Sequence, residues 1–290
     1  EPGKNPTPPD LKNASLAERW ILSRLNYTIQ LVTKSLEEYN ISIAAGSIYK
    51  FIWNDFCDWF IEISKAHLYQ TTNLKEKESY QNTLYYVLIN ILKMLHPFTP
   101  FVTEEIWQTL PTKKDSIMLE DYPKFQKSLH DKTAEKQMDV ITTTTHAIRN
   151  IRGENNVAPS KKIDLFLISK EPSTLKLLTD YQGYIASLAK TNTITITQNQ
   201  EPIKNSATSI IQSIEIIVSL EGLTNIEEER KRIQKELNNI ENDLDLIEKK
   251  LNNLSFIEKA PPEIVKKEKQ KKQGLLDKMN KLKQALQKLV

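Results

Sequence analysis

The stretch "FIWNDFCDWFIE" (Phe51–Glu62) sets five aromatic residues, two aspartates and the only cysteine of the chain into twelve positions. Such a density suits an active site, a metal site, a binding surface or a core helix, and helical phase separates these. At about 100° per residue, Ile48, Phe51, Ile52, Trp59 and Ile63 fall on one face. Lys50, Asn54, Asp58 and Glu62 form a polar stripe at i, i+4, with Tyr49, Trp53, Phe56 and Phe60 between the two. A helix this apolar is covered on most sides. Asp55 lies inside the apolar face, and a carboxylate there needs a cation, because an unpaired buried charge is costly. Arg19 and Arg24, on the preceding helix, are the candidate partners. Trp53 and Asn54 sit at the edge, where a ring and an amide can meet unpaired bases.

The neighbouring segments set this helix in a bundle. "SLAE" (Ser15–Glu18) reads as a capping box. Leu22, Leu25, Ile29, Val32, Leu36 and Tyr39 then recur at steps of three and four, a first helix running to about residue 40. The second helix spans about 42–69. A third, about 77–96, carries Leu84, Leu88, Ile91 and Leu95 and stops at Pro97. Thr99 and Pro100 read as the N-cap and first position of a fourth. After the loop "PTKKDSIMLEDYPKF", a fifth spans about 129–152. Five helices with short links make a bundle.

Beyond Gly153 the pattern changes. "KKIDLFLIS" (Lys161–Ser169), "TITIT" (Thr193–Thr197) and "SIIQSIEIIVSL" (Ser209–Leu220) read as strands, and "STLKLLTDYQGYIASLAK" as one short helix. From Leu223 through Ile226, Arg230, Ile233, Leu237, Ile240, Leu244, Ile247 and Leu251 to Leu254, steps of three and four alternate without a slip, which is a heptad seam. "EKAPPE" breaks it. Val265, Glu268, Lys272, Leu275, Met279, Leu282, Leu286 and Leu289 resume it. The expectation is an antiparallel helical hairpin with arms of roughly 45 Å, its seam interrupted by Glu268 and Lys272. The fold class is therefore mainly α. Its divisions are a linker at 1–14, a helical bundle at 15–152, a small α+β linking unit at 153–222 and a coiled-coil arm at 223–290.

Composition narrows the chemistry. One cysteine excludes an internal disulfide and any Cys-rich zinc site, and it fits a reducing compartment. The four histidines, His67, His96, His130 and His146, stand in no metal-ligand spacing. No Gly-rich phosphate loop, nucleophile elbow or H-E-x-x-H pattern occurs. Cys57 reads as a packing residue. No run of eighteen apolar residues predicts a membrane span. "EPGKNPTPPD" reads as a Pro-rich linker within a longer protein. The net charge of +3 names no partner, but residues 248–272 hold eight lysines against four glutamates. Basic charge at the tip of a long arm suits a phosphate backbone.

These segments together resemble the C-terminal half of the valyl-tRNA synthetases, class I aminoacyl-tRNA synthetases. The residues that carry the resemblance are "LAERWILSRLN", "IWNDFCDWFIE", "LYYVLINILKMLHPFTPFVTEEIWQTLP", "SIML", "IRNIRGENNVAPSKKI" and "LSFIEKAPPEIVKKEK", in the family's order over nearly all of 15–290. The bundle motifs are shared loosely by the isoleucyl and leucyl enzymes. "WNDFCDWFIE" and the hairpin point to the valyl member.

The resemblance implies an anticodon-binding bundle and an arm that reaches the tRNA elbow. It implies that tRNA(Val) is the partner, with no DNA and no membrane, and that the chain is a cytoplasmic monomer. The ATP-binding Rossmann domain, with its HIGH and KMSKS signatures, and the editing domain are missing from this sequence. ATP and Mg²⁺ would serve the full-length enzyme, with no cofactor and no catalytic residue here. Arg19, Trp20, Arg24, Trp53 and Asn54 would form the anticodon-loop surface. Arg230, Arg232, Lys249, Lys250, Lys259, Lys266, Lys267 and Lys269 would meet the tRNA backbone on the arm. Arg149 and Arg152 would be structural or touch tRNA. The alternative is a non-catalytic interaction protein that dimerises through its coiled coil.

Overall fold

The computed structural model describes residues 9, 11–69, 71–111, 114–222, 226–252, 267–268, 270–276, 279 and 283, with side chains of 226–233 and 236 outside that description. The turn "EKAPPE", Lys259, Lys266 and Lys269, and the side chains of Arg230 and Arg232, lie outside the described residues, as does most of the N-terminal linker.

Helix α1 (Leu16–Glu37) begins at the expected capping box. Ser15 Oγ accepts from the Glu18 amide, and the Ser15 amide donates to Glu18 Oε2 at 2.8 Å. Glu18 is itself buried, and its other oxygen accepts from Ser79 Oγ at 2.6 Å and Thr83 Oγ1 at 3.1 Å. The cap therefore also anchors α4 (Leu74–Leu95), which packs along α1. Leu22, Leu25, Ile29 and Val32 are buried as the spacing required, but α1 ends at Glu37 and Tyr39 turns outward with φ 59°.

The second helix differs from its sequence reading. It runs as α2 (Ile41–Lys50), a π-helical segment (Phe51–Ile61) and α3 (Glu62–Tyr69). The π ladder bonds i to i+5, so the turn is wider and side chains five apart approach the same side. This buries Phe51, Phe56 and Phe60 together and leaves Ile52 half-buried, which corrects the placement of Phe56 and Phe60 by α-helical phase. Phe60 stacks on Tyr80 of α4 at 6.1 Å.

Helix α5 (Pro100–Thr109) starts with Pro100 as read, but the Thr99 hydroxyl makes no cap and instead donates back to the Leu95 carbonyl. Trp107 of α5 joins Ile89, Leu92 and Ile117 in a small satellite core. Glu104 accepts from Ser116 Oγ at 2.9 Å and the Ile117 amide at 3.3 Å, and so fastens the "SIML" turn to α5. Helix α6 (Lys132–Glu154) returns across α1 and buries Ala134, Met138, Ile141, Ile148 and Ile151.

The α+β segment forms a four-stranded sheet of order β2-β1-β4-β3. Strand β1 (Ile163–Ile168) pairs parallel with β2 (Thr191–Thr197) and antiparallel with β4 (Ile214–Ser219), which pairs antiparallel with β3 (Ser206–Ile211). "SIIQSIEIIVSL" is thus a hairpin and not one strand. Its turn, at Gln212 and Ser213, uses Gln212 at φ 52° in place of the Asn-Gly or Gly that marks most two-residue hairpins. The expected single helix is two, α7 (Pro172–Asp180) and α8 (Gln182–Ala189). Leu165, Leu167, Ile216 and Val218 are fully buried on one sheet face, with Leu165 opposite Val218 and Leu167 opposite Ile216. Residues 1–154 and 159–219 cluster as one compact unit, and 155–158 with 220–290 as a second.

In the second unit, α9 (Ile226–Asn252) buries Leu237, Ile240, Leu244 and Ile247. The seam's period of three and four is kept at each of these positions. Lys272 Nζ meets Glu248 Oε1 at 2.7 Å, and Lys250 Nζ lies 3.7 Å from Glu268 Oε1. As one partner's number rises the other's falls, so the arms run antiparallel. Glu268 and Lys272, the expected interruptions of the seam, are thus used as cross-arm ion pairs. Glu268 Oε2 is buried without a hydrogen-bond partner among the described residues.

Candidate nucleic-acid interface

Three elements, α1, the π segment and α6, converge on one open cleft of about 440 Å³. Arg24 of α1 donates through Nε to Asp55 Oδ2 at 2.9 Å and lies 5.5 Å from the Tyr27 ring centroid. This resolves the buried-aspartate question: Arg24 is the partner, and Arg19 pairs instead with Asp131 at 2.8 Å. Burial pushes the Asp55 carboxyl above its ordinary value; Arg24 opposes that rise and the nearby Glu135 adds to it. Ser23 Oγ donates to Glu135 Oε1 at 2.5 Å. Lys136, Asp139 and Thr142 of α6, with Trp20 and Trp59, complete the lining.

The five residues expected at the anticodon-loop surface divide by exposure. Trp53 is 52% exposed and Asn54 is exposed beside it. Trp20, at 5%, is a core residue at the cleft floor; this corrects its assignment as a stacking residue, since neither face of a buried ring can take a base. Arg19 and Arg24 are half-buried in their ion pairs. Tyr49, which sequence reasoning left unassigned, is 64% exposed, with its ring 6.2 Å from Trp53 at 52°. Their i, i+4 spacing was the available signal. Glu135, Lys136 and Asp139 carried none, because only the tertiary crossing of α6 brings them opposite Asp55.

Two cations of "IRNIRGENN" reach the end of α8, Arg152 from a buried position and Arg149 from an exposed one. Arg152 is buried and donates to the carbonyls of Ala189 and Lys161, each at 2.8 Å. Arg149 donates to the Leu188 carbonyl at 3.3 Å and sits 4.9 Å over the Trp59 ring. Leu188 and Ala189 end α8, where the unsatisfied carbonyls and the helix dipole favour a cation. Arg152 is a structural residue, while Arg149 makes its contacts within the fold and stays exposed.

Cys57 is half-buried, and burial first, with Asp58 second, raises its thiol pKa. Among the described residues no group of three or more His, Cys, Asp or Glu side chains is placed to hold a metal ion. No described helix is long and apolar enough to cross a membrane.

On the arm, Lys249 is 71% exposed by side chain and pairs with Asp245 at 2.6 Å, Lys250 is 57% exposed, and Lys267 is exposed. These lysines stand clear of the buried seam and keep their ammonium groups at the surface.

Residues 18–167 match the family described as the anticodon-binding domain of tRNA ligase, and residues 225–290 match the valyl tRNA synthetase tRNA binding arm. The chain is 40% identical over 289 residues to the valine–tRNA ligase of Geobacter sulfurreducens, covering 98% of this chain and 32% of that protein. It is 38% identical over 275 residues to the valine–tRNA ligase of Geobacillus stearothermophilus, covering 95% and 31%. With the Syntrophotalea carbinolica enzyme the figures are 39% over 277 residues, 95% and 31%. The chain spans about a third of the length of these curated relatives.

Proposed function

The chain belongs to the valyl-tRNA synthetase family, and on that premise we propose that it is the tRNA-holding part of a valine–tRNA ligase. The observation that carries this reading is the presence, in one chain and in order, of the anticodon-binding domain and the tRNA-binding arm. In this reading the bundle grips the anticodon loop of tRNA(Val). The exposed Trp53 ring stacks on a splayed base, Asn54 hydrogen-bonds to it, and Arg19 and Arg24 hold the cleft beside it. On the arm, Lys249, Lys250 and Lys267 meet the sugar–phosphate backbone at the tRNA elbow, joined by Arg230, Arg232, Lys259, Lys266 and Lys269.

Attachment of valine, with ATP and Mg²⁺, belongs to the remainder of the enzyme, and this chain alone catalyses nothing. In this reading it works in the cytoplasm and as a monomer, the latter supported by the Lys250–Glu268 and Glu248–Lys272 pairs, which close the hairpin seam within one chain. The test is binding of tRNA(Val) as a function of salt. The affinity falls by roughly 0.7–0.9 log units per log unit of salt for each phosphate neutralised. Removing the residues after Gly222 lowers affinity and flattens that slope. A salt-independent interaction, or one that survives this truncation unchanged, defeats the arm's role. A stable dimer that Leu244→Lys disperses, together with no affinity for tRNA, supports the interaction-protein reading instead.

A further inference from the structure

Helix α5 buries one side and leaves the other bare. Thr103 and Trp107, one turn apart, face inward and are buried. Phe101, Val102 and Ile106 face outward, Phe101 at 91% exposure. The helix packs chiefly on α4 and the "SIML" turn (Ser116–Leu119), and that turn adds two more bare apolar side chains, Met118 at 76% and Leu119 beside it. His96 bonds Thr103 Oγ1 at 2.8 Å, which sets the start of α5 beside a hollow of about 130 Å³ lined in part by Pro97, Met118 and Tyr122. The α5 stripe and the turn thus border one region. A single exposed apolar residue needs no explanation, but a cluster of large ones marks an interaction surface.

The same region holds an unmade hydrogen bond. The Tyr122 hydroxyl is buried without a partner among the described residues. Burial pushes its pKa up to about 12, so it keeps its proton and stands as a donor. A buried donor with no acceptor costs free energy, and a native fold that keeps one calls for a partner.

Charge decides what kind of partner. Glu104, Glu105, Glu120 and Asp121 outnumber Lys93 and Lys114 around this face, and both lysines are already paired with Glu120. Phosphates meet repulsion there, so a protein surface suits the face and an RNA backbone does not. None of the residues expected at the anticodon loop or on the arm lies on α5 or the turn, so a neighbour docked here displaces none of them. The chain spans about a third of the length of its curated relatives, and in them the other two thirds supplies such a neighbour.

We propose that the outer face of α5 and the "SIML" turn seats the remaining part of the ligase, whose apolar side chains cover Phe101, Val102, Met118 and Leu119. The proposal rests on the reading that this chain is the tRNA-holding part of a larger enzyme, and it adds the surface by which that part is held to the rest.

The experiment compares, by hydrogen exchange, the chain alone with the same chain joined in place of the matching third of the Geobacter sulfurreducens ligase and, separately, of the Geobacillus stearothermophilus ligase. Amides of 100–107 and 116–119 are expected to exchange about tenfold more slowly or better in a joined enzyme, since first-turn and turn amides are little protected until covered. The double variant Phe101→Asp, Met118→Lys puts charge on the face. In the chain alone it is expected to leave the melting temperature and tRNA affinity unchanged, because both side chains point to solvent. In a joined enzyme it is expected to remove the added protection. Added protection in neither joined enzyme overturns the proposal, and so does protection that the double variant leaves intact. Protection that appears in the chain alone as its concentration rises assigns the face to a second copy, and protection that tRNA confers on the chain alone assigns it to RNA; either overturns the proposal. Binding of tRNA(Val) by the chain alone is measured apart from all of these, so the tRNA-holding reading and this proposal can fail independently.

Discussion

The Arg24 guanidinium crosses from α1 to the π segment and donates through Nε to Asp55 at 2.9 Å, with side-chain exposures of 33% and 16%. The pair fastens two elements by charge where their apolar faces part around the cleft. Asp55→Ala removes the acceptor and leaves a half-buried guanidinium. The expected cost is about 1–3 kcal/mol, with partial solvent screening keeping it below that of a fully buried pair. Urea unfolding of the variant beside the parent chain measures it.

The same carboxyl gives a pH signature. Its native pKa is raised, by burial first, so the folded state holds the Asp55 proton more tightly than the unfolded chain does. Its contribution to stability is fully present below the ordinary aspartate pKa and is lost as pH rises through the raised native value. Asp55→Asn cannot titrate. Plotted upward from about pH 4, the stability difference between parent chain and Asp55→Asn is expected to change in favour of the variant, and a difference that stays level refutes this.

Arg152 joins three segments, because its guanidinium serves carbonyls at Ala189 and Lys161 from the last turn of α6. Arg152→Ala leaves those carbonyls without their donor inside a packed region, at an expected cost of about 2–4 kcal/mol. Arg152→Lys recovers little of it, since an ammonium cannot span two acceptors in the planar geometry of a guanidinium. Thermal melts of both variants, followed by circular dichroism, test the ordering.

Trp53 is an exposed ring that the core does not need. Trp53→Ala is expected to leave the melting temperature almost unchanged and to weaken tRNA binding by about 1–3 kcal/mol, the contribution of one base stacked on an aromatic side chain. A parallel loss of stability would place the ring in the fold instead of the interface.

Glu268 occupies a seam position with one oxygen buried and unpartnered among the described residues. Replacement by Leu removes that desolvated acceptor and restores the heptad, so the hairpin is expected to melt at the same temperature or higher. The ion pair with Lys250 is lost, and the antiparallel register is then set less strictly. Cysteines introduced on the two arms and tested for crosslinking at matched and slipped positions read that register.

How far the sequence could be read depended on whether a local pattern fixed the geometry. The Ser15–Glu18 box and the seam through Leu237, Ile240, Leu244 and Ile247 are local and periodic, and both are present as read. Phe56 and Phe60 were misplaced because an α-helical period was applied across eleven residues that wind as a π-helix. The β3–β4 hairpin was hidden because Gln212 takes a left-handed conformation that glycine or asparagine usually announces. Asp55 demanded a cation by its phase, but the choice between Arg19 and Arg24 depended on the relative rotation of two helices. The cleft wall of Glu135, Lys136 and Asp139 had no local signature, since residues roughly a hundred positions beyond α1 reach it only after folding.

The hold of Arg149 and Arg152 on the end of α8 bears on where this protein can be cut. A polypeptide stopped after Glu154 would contain every helix of the bundle, yet it would lack the carbonyls that both arginines engage and the Tyr184 hydroxyl that stands 3.4 Å from that of Tyr80. The minimal autonomous piece of this half of the chain is therefore expected to end near Ser219. Limited proteolysis should spare the junction after Glu154 longer than its loop-like sequence suggests.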